Sequence, residues 1–457
     1  MKPFTSDDPI AALATPWGES ALGVIRISGK DSHEILNRFF HTRPEKLLSS
    51  MRGYTLHYGF IHDGDASIDE VMIAVYHGVK SYTGEESAEI YCHGGMAVIQ
   101  KILNLLYSSG FRPANPGEFT LRAFLNGKMD LTRAEAVNEI IRSKTDKARA
   151  LALDRLSGKI ESKIRKLTGK LTELSAALEV RIDYPDEDIP EEFPGNDQVS
   201  SIEEELSSLL ATYRTGKIFQ EGVSLVIGGR TNSGKSTLFN LLLKEDRAIV
   251  SDIHGTTRDY IEGNIAIEGI PIRLYDTAGL RTTDDKLEKE GMQRTNKIIK
   301  NARLMLFLAD ATLGLQDEDE AFMAICSKSI EIIPLWNKID LTTNRKNTAV
   351  CPEGFLPISA ETGLGLDELH MEIARRLFGK AYPETAEAVI GSDRQKGLLE
   401  NCLSAVRSFR QGLVEGLPLD ILGEDIRIAL TCLGEITGEV TTEDILRKMF
   451  SRFCVGK

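Results

Sequence analysis

The 457-residue sequence has no apolar run near the roughly 20 residues that a membrane-spanning helix needs. No apolar stretch follows a basic start at the N-terminus, so we expect no secretory signal. The six cysteines form no Cys-x-x-Cys pair and no metal-ligand spacing, which predicts reduced thiols in a cytoplasmic protein. The 55 lysines and arginines are outnumbered by 68 acidic residues, which gives a net charge of −13, so any nucleic-acid contact needs a local basic face or a partner.

What the sequence does contain is a succession of four segments, too long together for one hydrophobic core. Residues 1–121 mix short apolar strands with helices and predict an α/β domain. Residues 122–218 have helical periodicity, and 219–379 alternate strands and helices as in a doubly wound parallel sheet. Residues 380–457 are helical again but short for a domain. We expect them to pack on 122–218, so that a Ras-like α/β domain is inserted into an all-α helical domain.

A phosphate-binding loop lies at the start of the third segment. The strand VSLVIGG runs into GRTNSGKS and then into the helical TLFNLLL, the context that the motif G-x-x-x-x-G-K-[ST] requires. Glycine amides can close around phosphate oxygens, Lys235 can reach the β and γ phosphates, and the Ser236 hydroxyl can bind Mg²⁺. A chance glycine-rich turn is the alternative. The GTP-binding residues predicted here are Asn232, Ser233, Gly234, Lys235, Ser236 and Thr237.

Three further elements, each at the end of a strand or just beyond, turn the phosphate loop into a guanine-nucleotide site. DTAG supplies a carboxylate behind Mg²⁺ and an amide for the γ-phosphate. In NKID, Asp340 can accept the N1–H and 2-amino protons of guanine, an edge that adenine lacks. ISAETG can place an amide against the guanine O6. The residues predicted to bind GTP are Asp276, Thr277, Ala278, Gly279, Asn337, Lys338, Asp340, Ser359 and Ala360.

The loop SDIHGTTRD (251–259) fits a first switch segment, in which a threonine completes the Mg²⁺ shell. Thr256 or Thr257 can take that role, and we favour Thr257; an ordinary polar loop is the alternative. The residues predicted to contact the nucleotide here are Ser251, Asp252, Ile253, His254, Gly255, Thr256 and Thr257.

The residue after DTAG raises a question about catalysis. It is Leu280, where Ras-type enzymes have a glutamine that orients the attacking water, and leucine has no hydrogen-bonding group. Another group must therefore orient the water. The residue types leave four acidic candidates open: Asp284, Asp285, Glu288 and Glu290.

Segments across nearly the whole chain resemble the tRNA-modification GTPase family of the TrmE/MnmE type. They include IAALATPWGESALGVIRISG, SYTGEESAEIYCHGG, NPGEFTLRAFLNGKMDLTRAEAV, the motifs above and GEITGEVTTEDILRKMFSRFCVGK. The resemblance implies K⁺ in place of an arginine finger, with Asn232, Ser251, Ile253 and Thr256 as its ligands. It also implies that Glu288 orients the water and that two G domains pair across their switches.

For the N-terminal domain, the resemblance implies a constitutive homodimer and a bound tetrahydrofolate derivative, 5-formyl or 5,10-methylene. The implied folate residues are Arg26, Glu89, Lys128 and Lys457. A carboxylate can pair with the pterin and cations can hold the folate carboxylates. On residue type alone, these four are ordinary surface charges. Cys454, in the terminal Cys-x-Gly-Lys signature, is either a nucleophile or a thiol tucked into a helical surface; residue type alone favours burial.

The implied reaction is modification of the wobble uridine of tRNA at C5 with a folate one-carbon unit. The resemblance also implies an FAD/NADH-dependent partner subunit in a heterotetramer, and GTP hydrolysis that drives or gates a conformational cycle. Two other hypotheses remain: a regulatory GTPase switch without folate chemistry, as in ribosome assembly, and a folate-dependent transferase whose G domain only regulates. One basic helical face either touches tRNA or is a solvated surface: Lys159, Lys163, Arg165, Lys166 and Lys170.

Overall fold

A computed structural model of the protein describes residues 8–183, 195–246, 262–276, 302–342, 350–379 and 388–457. The chain divides into two compact units. The first comprises Met1–Asn138, Leu156–Ile202 and Asn401–Lys457, and the second comprises Glu139–Arg155 and Glu203–Glu400. Within the described ranges, no helix is both long enough and apolar enough to cross a membrane.

The first unit contains a seven-stranded sheet with the strand order β3-β4-β5-β6-β2-β1-β7. Neighbouring strands are antiparallel except for the parallel pair β1–β7. Alternation along β2 sends Ile25 and Ile27 into the core and leaves Arg26 on the opposite face. The strands are β1 (Ile10–Leu13), β2 (Leu22–Ser28), β3 (Phe40–His41), β4 (Thr55–Asp63), β5 (Ala66–Tyr76), β6 (Ser87–His93) and β7 (Arg112–Pro113).

Helices occupy the stretches for which helical periodicity was expected. They are α1 (Ser32–Leu36), α2 (Met96–Ser108), α3 (Glu118–Leu125), α4 (Leu131–Arg142), α5 (Asp146–Leu156), α6 (Lys159–Asp183), α7 (Gly195–Ala211), α8 (Tyr213–Glu221), α9 (Lys235–Glu245), α10 (Asp317–Cys326), α11 (Leu366–Phe378), α12 (Asp393–Glu415), α13 (Leu419–Thr437) and α14 (Glu443–Phe450).

The expected packing of the C-terminal helices on the earlier ones is confirmed. Helix α13 packs along α6, which buries Leu167, Leu171, Leu174 and Leu178 on one face. Both helices belong to the first unit, whereas the chain between them builds most of the second. The second unit is therefore an insertion, as predicted. The predicted boundaries need correction: Glu139–Arg155 and residues 203–218 of the predicted helical segment 122–218, and residues 388–400 of the predicted segment 380–457, group with the second unit.

The second unit has a six-stranded sheet, ordered β13-β12-β11-β8-β10-β9. All neighbouring strands are parallel except the antiparallel edge pair β9–β10, so the carboxyl ends of five strands meet at one edge, where α/β proteins bind ligands. This confirms the predicted doubly wound α/β fold. The strands are β8 (Val223–Gly229), β9 (Glu262–Ile267), β10 (Ile270–Asp276), β11 (Leu304–Asp310), β12 (Glu331–Asn337) and β13 (Leu356–Pro357).

Candidate functional site: a nucleotide site and a charged cluster

The phosphate-binding loop joins β8 to α9 at the carboxyl edge of the second sheet. Gly234 has a φ of 100° and precedes the first residue of α9, whose N-terminal amides favour an anion. The Lys235 side chain is buried, and its ammonium donates to the carbonyl of Arg230 at 2.6 Å, across the mouth of the loop. The Ser233 hydroxyl is buried and makes no hydrogen bond within the described part of the chain. These features suit a cradle for phosphate oxygens.

Two oxygen donors fitted to Mg²⁺ lie beside this loop. The Ser236 hydroxyl, on the first turn of α9, donates to the Asp276 carboxylate at 2.9 Å. Asp276 is the last residue of β10 and is buried. Hydroxyl and carboxylate oxygens are hard ligands of the kind that Mg²⁺ prefers. The donor set therefore fits the metal that the sequence predicts, with Ser236 as ligand and Asp276 behind it.

The base-recognition elements reach the same edge from two other strands. The Asn337 amide, at the end of β12, donates to the carbonyl of Ser233 at 2.8 Å. Its oxygen accepts from the amide of Ala360 at 2.9 Å. The Ser359 hydroxyl donates to the Asp340 carboxylate at 2.6 Å, which fixes the carboxylate that is to read guanine. Asn337 thus joins the phosphate loop to the ISAETG segment.

Sequence reasoning missed Asp310, the last residue of β11. Its carboxylate pairs with the Lys338 ammonium at 2.7 Å, and the same ammonium donates to the carbonyl of Asn232 at 2.7 Å. Burial alone would raise the pKa of Asp310, but hydrogen bonds from Lys338 and Thr312 outweigh it and lower the pKa. An aspartate closing the apolar strand LMLFLAD was the available signal.

Part of the predicted nucleotide site lies outside the described residues. Asn232, Ser236 and Thr237 are described, and all three are exposed at the loop. The predicted residues outside the described ranges are Ser251, Asp252, Ile253, His254, Gly255, Thr256, Thr257, Thr277, Ala278, Gly279 and Glu288.

A second candidate site lies on the sheet of the first unit, around Arg26 and Glu89. These residues face each other across β2 and β6. The guanidinium donates twice to one Glu89 oxygen, at 2.9 and 2.6 Å, and Tyr91 donates to the other oxygen at 2.8 Å. Burial opposes ionisation of Glu89, but Arg26, Tyr91 and Lys457 outweigh it and lower the pKa of the carboxyl. Both side chains are less than a fifth exposed, so the expectation of ordinary surface charges is wrong for them.

The C-terminal residues complete this cluster. Arg26 donates to the carbonyl of Gly456 at 2.9 Å, although the two are 430 positions apart. Burial and the nearby Arg26 lower the pKa of Lys457, against the attraction of Glu89. The rings of Tyr82 and Phe119 flank the guanidinium, at 5.8 and 5.7 Å.

Lys128 acts on the cluster through a loop. Its ammonium donates to the carbonyl of Val79 at 2.6 Å, and Asn126 donates to the carbonyl of Thr83 at 2.7 Å. Both bonds hold the loop that contains Tyr82. The structure thus brings Arg26, Glu89 and Lys457 together directly and connects Lys128 to them through this loop.

The exposure of Cys454 differs from the burial that its residue type predicts. Residue type favours burial, but the Cys454 side chain is exposed. Its backbone carbonyl accepts from the amide of Gly117, so the main chain is fixed while the thiol is accessible. The sequence alone could not show that the thiol is exposed, because the backbone contact between Gly117 and Cys454 joins residues far apart in the chain.

The basic residues of α6 differ in exposure, and Arg165 has an ion pair within the helix. Lys159, Arg165 and Lys166 are exposed, and Lys163 and Lys170 are half-buried. Arg165 pairs with Glu161 one turn away at 2.7 Å. This is the geometry of a solvated surface with local ion pairs.

The parallel sheet, the phosphate loop and the base-recognition segments at one edge define a P-loop protein of the guanine-nucleotide-binding class. A family model described as the MnmE helical domain matches residues 131–454, and a second, described as the GTP-binding protein TrmE N-terminus, matches residues 9–128. The chain therefore belongs to the MnmE (TrmE) family.

Curated relatives agree over the whole length. The tRNA modification GTPase MnmE of Carboxydothermus hydrogenoformans is 40% identical over 462 residues, which cover 99% of this chain and 100% of the relative. The protein of the same name from Treponema denticola is 42% identical over 471 residues, covering 99% of each chain. The one from Aquifex aeolicus is 42% identical over 454 residues, covering 98% of this chain and 100% of the relative.

Among solved structures, Aquifex aeolicus Era bound to GDP·AlF4− is 29% identical with a TM-score of 0.28, covering 40% of this chain and 66% of that chain. The G domain of the T. maritima FeoB iron transporter is 22% identical with a TM-score of 0.26, covering 34% and 98%. At these TM-scores the structural similarity adds nothing to the assignment.

Proposed function

We propose that the chain is a GTP hydrolase that acts in tRNA modification. The observation that carries the proposal is the convergence of Lys235, Ser236, Asp276 and Asn337 at one sheet edge. The chain also matches proteins named tRNA modification GTPase over 99% of its length, which supports the same function.

Each described residue has a separate task in nucleotide binding. The loop amides and the Lys235 ammonium hold the phosphates, and Asp340, oriented by Ser359, selects guanine. Ser236 would hold Mg²⁺, with Asp276 behind it; such an ion would supply positive charge against the phosphates. Leu280 cannot orient water. The resemblance to the MnmE family implies Glu288 among the four acidic candidates, and we assign the role to it.

We further propose that K⁺ stimulates hydrolysis, with Asn232, Ser251, Ile253 and Thr256 as ligands. A monovalent cation there would neutralise the charge that an arginine finger neutralises in other GTPases. The test is GTP turnover in K⁺ and in Na⁺ at equal ionic strength, together with Glu288→Ala. We expect faster turnover in K⁺, and slow turnover with near-normal nucleotide affinity in the variant. Equal rates in both salts would remove the ion from the mechanism.

The charged cluster of the first unit supports a folate site. Glu89 can accept from the donor edge of a pterin, and Arg26 and Lys457 offer cations for carboxylates, with Lys128 acting on the loop of Tyr82. A 5-formyl- or 5,10-methylene-tetrahydrofolate would supply the one-carbon unit. Cys454, with its exposed thiol at the end of the chain, is the candidate nucleophile.

We propose that the nucleotide site and the folate site both serve tRNA modification. A cytoplasmic homodimer joins an FAD/NADH-dependent subunit in a heterotetramer and modifies C5 of the wobble uridine of tRNA by carboxymethylaminomethyl addition. GTP hydrolysis gates the process and is not itself the chemistry on the base.

The deciding experiment is nucleoside analysis of tRNA from a deletion strain complemented with wild type, Asp276→Ala or Glu89→Gln. We expect the C5-modified wobble uridine only with wild type. Full modification in the deletion strain would refute a role in tRNA. Full modification with Asp276→Ala would confine the G domain to regulation, and full modification with Glu89→Gln would remove folate from the proposal.

A further inference from the structure

Two strained residues in the nucleotide site are joined by one hydrogen bond. Asn232 has a φ of 63° and Lys338 a φ of 69°, in the left-handed region that non-glycine residues rarely adopt. The Lys338 ammonium donates to the carbonyl of Asn232 at 2.7 Å. Such conformations persist where the surrounding contacts determine them. The bond is therefore positioned to hold the phosphate loop in its shape.

The position of that ammonium depends on Asp310. One oxygen of the carboxylate accepts from the amide and the hydroxyl of Thr312, at 2.9 and 2.7 Å, which fixes its orientation at the end of β11. The other oxygen accepts from the Lys338 ammonium at 2.7 Å. The Asp310 side chain is 11% exposed and the Lys338 side chain 29%. Without the carboxylate, solvent would compete for the ammonium.

The contact is one half of a two-point clamp. Consecutive carbonyls of the phosphate loop, of Asn232 and Ser233, accept from consecutive side chains, those of Lys338 and Asn337. The side-chain oxygen of Asn337 accepts a hydrogen bond from the backbone amide of Ala360, which fixes the orientation of the Asn337 side chain. The Lys338 ammonium has Asp310 in the equivalent role, so each point of the clamp has its own anchor.

We propose that Asp310 is a positioning residue for nucleotide binding. It holds the Lys338 ammonium on the carbonyl of Asn232 and so makes the shape of the phosphate loop depend on the base-recognition segment. The inference rests on the proposed GTPase function. Asp310 acts through Lys338 and Asn232, without contact to the nucleotide.

The test is the affinity for a fluorescent GDP analogue, measured with Mg²⁺ in Na⁺ buffer so that K⁺ plays no part. Asp310→Asn removes the charge but keeps the shape. Hydrogen bonds to charged groups are stronger than those to neutral groups, so we expect affinity to fall at least about tenfold. Glu318→Gln is the matched control: its carboxylate lies 3.4 Å from Arg230 of the same loop but is 79% exposed, and we expect under about a twofold change.

Asn232→Gly distinguishes positioning from a general structural effect. Glycine adopts a φ of 63° without strain. A phosphate loop with glycine at position 232 therefore does not need the hydrogen bond from Lys338 to keep its shape. In the Asn232→Gly background, we expect Asp310→Asn to change GDP affinity less than about threefold, because glycine relieves the strain at position 232 that the Lys338 hydrogen bond maintains.

The outcomes distinguish the proposed GTPase function from the positioning role of Asp310. No binding of the analogue by wild type would overturn the proposed function. Normal binding by Asp310→Asn, or an undiminished loss in the Asn232→Gly background, would overturn the positioning role alone.

Discussion

A methyl group added at Gly234 tests whether the phosphate loop and the base-recognition segment form one site. An alanine Cβ there would lie 2.2 Å from the Asn337 amide nitrogen, far inside contact distance. The φ of 100° costs a non-glycine residue about 1–2 kcal/mol. Moving Asn337 away breaks its bonds with Ser233 and Ala360, worth about 1 kcal/mol each. We therefore expect Gly234→Ala to lower the free energy of unfolding by about 3–4 kcal/mol.

Gly354→Ala is the matched control for that change. Its φ is 85°, and a Cβ there meets nothing within 4 Å, so it pays the backbone cost alone. The assays are thermal unfolding and affinity for a fluorescent GDP analogue. We expect Gly354→Ala to bind within about twofold of wild type, and Gly234→Ala to bind at least about thirtyfold more weakly, the equivalent of the two lost hydrogen bonds. Equal affinities would refute the idea that Asn337 holds the phosphate loop.

Three further predictions test other residues. Asp340→Asn loses an acceptor for the guanine edge, so the preference for GTP over ATP should fall at least about a hundredfold in competition binding; an unchanged preference would place guanine recognition elsewhere. Because folding lowers the pKa of Glu89 from 4.5, its stabilisation is present above that pH and is lost as the pH falls through the lowered value. Glu89→Gln should therefore lower the melting temperature at pH 7 and flatten its acid limb, which an unchanged pH profile would contradict. Iodoacetamide on native protein should label exposed Cys454 before buried Cys402, whose pKa burial raises to about 12; peptide mapping that finds Cys402 first would refute the assignment.

The positions of the described residues of the candidate nucleotide site could be predicted because the motifs that contain them are local in the sequence. A glycine-rich loop must follow a strand and precede a helix, and Lys235 and Ser236 have fixed places in it. The parallel sheet then brings Asp276 and Asn337 to the same edge without further information, because carboxyl ends of parallel strands coincide.

What escaped the sequence depends on contacts between distant residues. Asp310 appears only as a charge at the end of a strand until Lys338 is placed beside it. Burial of Arg26 and Glu89 depends on the pairing of β2 with β6 and on the chain end. The exposure of Cys454 depends on how its backbone is held, and residue type carries no record of that.

Gly456 and Lys457 belong to the charged cluster on the sheet of the first unit, together with Arg26 and Glu89. Arg26 reaches Gly456 across 430 positions, and the whole inserted unit lies between them in the chain. The entropic cost of closing a loop grows only slowly with its length, so this long separation is compatible with a native contact. Deleting residues 454–457 removes the Gly456 carbonyl and the Lys457 ammonium and leaves every residue of the phosphate loop in the chain. We therefore expect the truncated protein to bind folate at least about tenfold more weakly while its GDP affinity stays within about twofold, measured by equilibrium titration of each ligand. Unchanged folate affinity would show that Arg26 and Glu89 form the site without the chain end.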